Sequence, residues 1–345
     1  MESKHAQRKN EHLSLATKLY EQVHMNSFDE MQIIHQSLPE ISLDQVSTNV
    51  TIDGLNLQQP FYIEAMTGGS QQAYEINKEL ATIAHNHHLA MALGSASIIF
   101  NDSTAKKSFS IVREVNPNGI IFANLSAKAS LKQAQSVIEL LQADALELHI
   151  NSAQELVMAD GDRDFHWLAN IKTLVDNLDI PVIVKEVGFG MDASTISALQ
   201  SIGVANINIS GRGGTNFAAI ENRRNHQVDF SCLDNWGQTT LESLLEARAA
   251  KTTQENIIAS GGICSPLDVI KSGILGAKAV GVAGYFLNTL IHDGIDALDE
   301  ELNNWEIIIP RLLALLGCQT FNELSSANFV LHGKALEYAQ QRNLI

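Results

Sequence analysis

Positive charge is scarce in this chain. Twenty-three Lys and Arg stand against 39 Asp and Glu, a net charge of −16. Such a field disfavours broad attraction to nucleic acid or anionic lipid. Any phosphate-bearing ligand must therefore be held by local devices: helix N-termini, backbone N–H nests, a few basic side chains or a metal ion. Cysteine is scarce too. Cys232, Cys264 and Cys318 form no C-x-x-C pair, and an odd number suits free thiols in a reducing compartment. No apolar run reaches the roughly 18 residues of a membrane span. The opening MESKHAQRKNEHL lacks the apolar segment of a secretory signal. A cytoplasmic protein with no membrane and no nucleic-acid partner is expected. DGDRD (160–164) lacks the Gly and closing Glu of a calcium loop and reads as a turn.

What the chain does have is a rhythm. Eight short apolar runs, PFYIEAM (60–66), LAMALG (89–94), IIFANL (120–125), ALELHI (145–150), PVIVKEV (181–187), NINIS (206–210), NIIASGG (256–262) and AVGVAGY (279–285), alternate with helical patterns. Near-continuous apolar runs suit strands buried on both faces. LKQAQSVIELLQ (131–142) and SPLDVIKSGILG (265–276) predict helices, the second entered by Ser-Pro and ended by Gly276. Eight such units over roughly 240 residues fit an α/β protein of the (β/α)₈, or TIM, barrel class. A doubly wound sheet would want a G-x-G-x-x-G turn after its first strand, and none is present. Residues 1–59 form an N-terminal extension, with a helix expected from Asn10 to Met25 and a turn-rich stretch over Thr48 to Leu57. Residues 60–345 form the barrel. The long segment 211–237, glycine-rich at one end and Trp236-Gly237 at the other, reads as an active-site cover.

Active sites of such barrels lie at the C-terminal ends of the strands. Thr67, Ser95, Asn124, His149, Lys185, Ser210, Gly261, Gly262 and Gly284 fall there. The glycines of ASGGI and VAGYFL precede helices, and GRGGT (211–215) adds Thr215. Exposed N–H groups at such places suit a phosphate, although each pair alone could be a tight turn. Lys185 is the cation most deeply placed in the pattern, with Glu186 or Glu147 as a bland partner. HINSAQE (149–155) collects His149, Asn151, Gln154 and Glu155 just past a strand. Glu155 is a hard oxygen donor suited to Mg²⁺. Arg8-Lys9, with His12 nearby, could clamp a diphosphate and extend the substrate site into residues 1–59. His85, His87 and His88 fall at the opposite, stability face, where a solvated helix end is expected.

These motifs together resemble the type 2 isopentenyl-diphosphate delta-isomerases, a flavoenzyme family. RKNEHL, AMTGGS, ANLSA, HINSAQE, KEVGFG, SGRGGTNFAAIENRR, Trp236-Gly237 and ASGGI carry the likeness over essentially the whole chain. The resemblance implies interconversion of isopentenyl and dimethylallyl diphosphates with no net redox change. It also implies FMN, Mg²⁺, NADPH as reductant, and a homo-oligomer, tetramer or octamer. FMN would contact Ala65, Met66, Thr67, Ser95, Asn124, Lys185, Ser210, Thr215, Gly261, Gly262, Ala283 and Gly284. Substrate would meet Arg8, Lys9, His149, Asn151 and Gln154, the last three being the catalytic candidates, and Glu155 would hold the metal. Reduced flavin is expected to be the main acid–base group, with Gln154 orienting or relaying protons. Two departures remove basic residues that the family often carries: Ala96-Ser97 follow Gly94-Ser95, and Cys264 follows ASGGI. The rival reading is an FMN barrel oxidoreductase of the 2-hydroxy-acid oxidase type. Such an enzyme would want a His base after a late strand, where this chain has Cys264.

Overall fold

The eight apolar runs become eight parallel strands because each is apolar on both faces and can be satisfied only between neighbours and a surrounding layer of helices. The computed structural model describes residues 4–20, 26–224, 228–250 and 256–345. Two short antiparallel ribbons flank the barrel: β1 (Met31–Ile33) with β12 (Phe329–Leu331), and β2 (Val50–Ile52) with β3 (Leu55–Leu57). The barrel strands are β4 (Phe61–Ile63), β5 (Met91–Ala92), β6 (Ile121–Ser126), β7 (Ala145–Ile150), β8 (Val182–Glu186), β9 (Asn206–Asn208), β10 (Asn256–Ser260) and β11 (Ala279–Val282). They pair in sequence order and close where β11 meets β4, with Val280 opposite Phe61.

Local signals set the helices. Ser130 caps Leu131–Leu141 in a reciprocal box with Gln133, and Ser265 caps Pro266–Ile274 with proline in its first turn. The N-terminal helix runs Lys4–Tyr20, six residues earlier than the Asn10 start expected. Its first turns are polar residues with no helix breaker, and an apolar period alone cannot register them. The expected continuation over residues 21–25 lies outside the described residues.

The N-terminal end of the barrel is plugged by the β2–β3 hairpin. Ile52 and Leu57 are buried, and Asn206 at the start of β9 donates to Asp53 in the hairpin turn at 2.9 Å. The β1–β12 ribbon ties the extension to the C-terminal segment. His87 departs from the solvated end expected for its cluster. It is buried between Glu306 (3.0 Å) and Asp299 (3.1 Å) on the long helix Ile295–Leu315. The bonds to Glu306 and Asp299 hold its pKa above the ordinary value against the opposing effect of burial. The three cysteines are unpaired, and among the described residues no helix is long and apolar enough to cross a membrane.

Trp305 of the long helix is the largest fully buried side chain, packed edge-on against Phe61 and tilted on Phe286. Trp305→Ala is expected to lower the unfolding free energy by about 3–5 kcal/mol. Urea titration measures this, and a loss below about 1 kcal/mol would mean the helix is not part of the core.

Candidate active site

At the C-terminal ends of the strands lies a cavity of about 480 Å³, within the range of small-molecule and cofactor sites. The helix Lys4–Tyr20 and the start of the helix Phe217–Arg224 roof it. Every residue expected at the site lines this one cavity except Asn151. Asn151 is buried as the cap of the helix Ser152–Val157. Its Oδ1 accepts from the Gln154 N–H, and its amide donates to Gln154 Oε1 at 3.0 Å. It therefore sets the Gln154 rotamer and is not itself a wall.

One end of the cavity is built of backbone. A Cβ on Gly261 would sit 2.0 Å from Gly211 O, and one on Gly262 would sit 2.8 Å from the Gly213 carbonyl carbon. Both glycines have positive φ, +95° and +74°, so this close approach of two loops requires residues without side chains. The helix Gly284–Asp293 opens toward the same end with no side-chain cap, and Thr215 Oγ1 would lie 3.9 Å from a Cβ on Gly284. Among the described residues the N–H groups of Gly262 and Gly284 have no protein partner. Free N–H groups, a helix N-terminus and a hydroxyl make a suitable seat for a phosphate.

The floor holds a buried polar network. Lys185 Nζ lies 2.7 Å from Glu64 Oε1, so its partner is Glu64 and neither Glu186 nor Glu147. Glu186 turns the other way and accepts the Phe189 N–H at 2.6 Å. Glu64 also accepts from Tyr62, Asn208 and the Ala65 N–H. Burial opposes its charge, but Lys185 and these hydrogen bonds prevail and keep its pKa below the ordinary value. His149 Nδ1 lies 2.9 Å from Asn124 Oδ1, and Asn124 donates to Glu147. That orientation makes Nδ1 the protonated nitrogen and leaves Nε2 an acceptor. Burial, then the charges of Lys9 and Lys185, bring the His149 pKa down to about 4, so the ring is neutral at pH 7.

The roof is cationic around one carboxylate. Glu221 accepts from His12 Nε2 and from Arg224 Nη1, each at 2.7 Å, and lies 3.6 Å from Arg8 Nη2. Gln154 Nε2 donates to the same carboxylate at 3.4 Å. Burial raises the Glu221 pKa, but the His12 hydrogen bond and the Arg8 and Arg224 charges outweigh it and bring the value down to about 2. Burial also holds His12 below its ordinary value. His12 therefore acts as a neutral donor, and Arg224 and Arg8 carry the charge balance. Lys9 has no such partner among the described residues. Burial and the adjacent Arg8 bring its pKa down to about 8.

Glu155 also lines the cavity, and its Oε2 accepts the Asp162 N–H at 2.7 Å. Among the described residues no group of three or more His, Cys, Asp or Glu could hold a metal. A divalent ion at Glu155 would therefore need further oxygen ligands from outside the protein. Of the expected cover, Gly211, Gly214, Thr215 and Phe217 line the cavity. Phe230 and Leu233 instead pack outside it against Val157 and Phe189, and Trp236 is exposed. Ser95 and Ser97 line the wall, with their hydroxyls 3.1 Å apart, while Cys264 turns to Asp268 and Asn26. Glu64, Glu221 and Arg224 were not singled out from sequence. The inward parity shared by Tyr62 and Glu64 was the available signal for the first.

The fold and the glycine cradle define a barrel of the flavin-binding class, and residues 101–331 match the model of the FMN-dependent dehydrogenase family. A mandelate oxidase structure with (S)-2-phenylpropionate superposes with a TM-score of 0.67 at 17% identity, covering 93% of this chain and 90% of the other. That likeness is one of fold. An isopentenyl-diphosphate delta-isomerase of Limosilactobacillus reuteri subsp. reuteri (strain JCM 1112) is 63% identical, covering 100% of this chain and 99% of its own. One of Latilactobacillus sakei subsp. sakei (strain 23K) is 47% identical over 98% and 96%. The chain belongs to the isopentenyl-diphosphate delta-isomerase family.

Glu221 is the point to which the roof is fastened. Its contribution is complete above the ordinary value of 4.5 and is lost as pH falls toward about 2. At pH 7, Glu221→Gln is expected to weaken hydrogen-exchange protection of residues 4–20 while strands β6 to β8 keep theirs. Unchanged protection of the helix would show that the cluster does not anchor it.

Proposed function

We propose that this chain interconverts isopentenyl diphosphate and dimethylallyl diphosphate in the cavity described, with FMN on its floor and the diphosphate under its roof. The observation that supports the reading is that a backbone nest and a basic pair, each suited to an anion, line one cavity. The backbone nest at Gly262, Gly284 and Thr215 suits the FMN phosphate. Arg8 and Lys9 suit the diphosphate, with Glu155 sharing a Mg²⁺ ion with it. The floor residues fit a flavin ring: Lys185 offers a cation held by Glu64, and Ala65, Met66 and Thr67 give a wall with little charge.

Moving a double bond needs a proton added at one carbon and removed from another. Reduced FMN supplies, when bound, a flat anionic face and an exchangeable proton beside the alkene. The chain's part is to orient and to exclude water. Gln154, fixed by Asn151 and by the Glu221 carboxylate, presents an amide that aligns a reacting group without adding charge. Neutral His149 presents the Nε2 lone pair. Phe217, Leu13 and Ala16 of the roof keep water from a cation-like centre. An NADPH-class reductant belongs to the same reading, as does a cytoplasmic setting, supported by three unpaired cysteines. So does a homo-oligomer of four or eight chains, supported by exposed Ile307, Ile308 and Leu315 on one helix. The hydroxy-acid oxidase alternative has the shared fold and the FMN-dependent dehydrogenase match in its favour, against full-length relatives at 63% and 47% identity that are isomerases.

Incubating the reduced protein with isopentenyl diphosphate in D₂O is expected to give deuterium-labelled dimethylallyl diphosphate. Oxygen consumption with a hydroxy acid, and no label, would instead favour the oxidase. The KM for the diphosphate is expected to rise as pH passes about 8, where Lys9 loses its proton. Lys9→Met should raise KM about tenfold or more, the worth of a lost charge-assisted contact, and should abolish that pH dependence. A KM that climbs with pH identically in the variant removes Lys9 from the diphosphate seat.

A further inference from the structure

Beneath the cavity floor sits a group that the proposed reaction does not use. Glu147 is 0% exposed and does not line the cavity. Its Oε2 accepts from Asn124 Nδ2 at 2.9 Å, and its Oε1 is buried with no hydrogen-bond partner. A buried carboxylate oxygen without a donor is costly, and a carboxylate carrying a second uncompensated charge is costlier.

The surroundings make the problem sharper. From β4 come Tyr62 and Glu64, from β8 Lys185, and from its own strand His149; Asn124 of β6 and Asn208 of β9 add only amides. Among the described residues Lys185 is thus the one cation facing two acids, and its ammonium is already bonded to Glu64 at 2.7 Å. Were both acids ionised, the barrel interior would carry a net negative charge out of reach of bulk solvent. A proton on Glu147 Oε1 removes the excess charge and also gives the orphaned atom a role, as a donor to the neighbouring Glu64.

We propose that Glu147 is a positioning residue that folds as a neutral carboxylic acid donating to Glu64, so that the Lys185–Glu64–Glu147 triad under the FMN seat carries no net charge. The electrostatics and the hydrogen-bond chain agree with this. Burial and the Glu64 charge push the Glu147 carboxyl up to about 8, with Lys185 and the Asn124 bond opposing less strongly. The donor chain His149 to Asn124 to Glu147 to Glu64 then has one hydrogen for every link. Tyr62, which also donates to Glu64 at 3.0 Å, is kept protonated well above its ordinary range by burial and the two acids. As pH rises through about 8, Glu147 loses its proton, the triad becomes negative, and the attraction of Lys185 for an anionic flavin is offset from below. The effect of Glu147 on the flavin rests on the FMN reading above; its protonation state does not.

The test has two arms, chosen so that the two claims fail separately. In the first, infrared spectra of the full flavin-free chain are taken at pH 7 and as pH is raised. Burial pushes the Glu186 carboxyl up to about 8 as well, so the readout for Glu147 is a difference from wild type. A neutral carboxylic-acid carbonyl band is expected at pH 7, fading through about pH 8 and weakened, with the Glu186 part left, in Glu147→Gln. Glu64→Gln leaves Glu147 as the counter-ion of Lys185, so the same part of the band is expected to be lost there. A wild-type chain without the band, or a Glu64→Gln chain that keeps it at full strength, overturns the proposal. Those two results decide the matter even where Glu147→Gln does not fold. In the second arm, the midpoint potential of the FMN-loaded chain is followed against pH. It is expected to fall more steeply between pH 7 and 9 in wild type than in Glu147→Gln, and equal slopes overturn the electrostatic role. A chain with the band that binds no FMN would overturn the cofactor reading and leave the neutral acid standing.

Discussion

An ammonium group cannot lie inside a parallel barrel unless its charge is met there, and the Lys185–Glu64 pair at 2.7 Å is what allows this one. Breaking such a pair leaves a lone buried charge, at a cost of about 3–5 kcal/mol. The rest of the floor is organised around that constraint. Tyr62, Asn208 and the Ala65 N–H complete the coordination of Glu64. Ser260 and the Ser210 N–H hold the Asn208 carbonyl, and Asn124 links the network to His149. A cation is thereby fixed at the base of the cavity of a strongly acidic protein, where the long-range field alone would repel a phosphorylated ligand.

The two ends of the cavity solve the same problem by different means. At the glycine end, backbone N–H groups supply partial positive charge and no side chain has to be desolvated. At the roof, whole cations are used, but their excess is trimmed by Glu221, which engages Arg8, His12 and Arg224. Lys9 is left as the unpaired cation of this cluster among the described residues. The helix Lys4–Tyr20 is thus fastened through Glu221 and through the Arg8–Asp160 and Arg224–Glu11 pairs, which hold it over the cavity.

Much of the scaffold was legible because strands buried on both faces print an unbroken apolar run. All eight runs became strands, and the capped helices at 131 and 265 fell close to their expected bounds. The catalytic-end rule then placed nearly every site residue on one cavity. What escaped had physical reasons. The helix start at Lys4 lies in polar turns that carry no apolar period. Glu64 hides inside PFYIEAM, where an acid in a strand looks like an edge residue until the barrel closes around it. Asn151 reads as a strand-end ligand, yet the chain turns there and uses it as a cap. Glu221 sits between Ala-Ile and Asn-Arg-Arg, a context that suggests a solvated helix. His87 looks solvated until the helix Ile295–Leu315, more than 200 residues away in sequence, supplies Asp299 and Glu306.

The proposed reaction requires flavin and prenyl diphosphate to share one cavity. Its most direct measurement is a spectral titration: FMN is added to the full chain, reduced, and then challenged with isopentenyl diphosphate. One FMN per chain, with a reduced-flavin spectrum that shifts saturably as the diphosphate binds, is the predicted result. Saturable diphosphate binding that leaves the flavin spectrum untouched would place the two ligands apart and contradict the account.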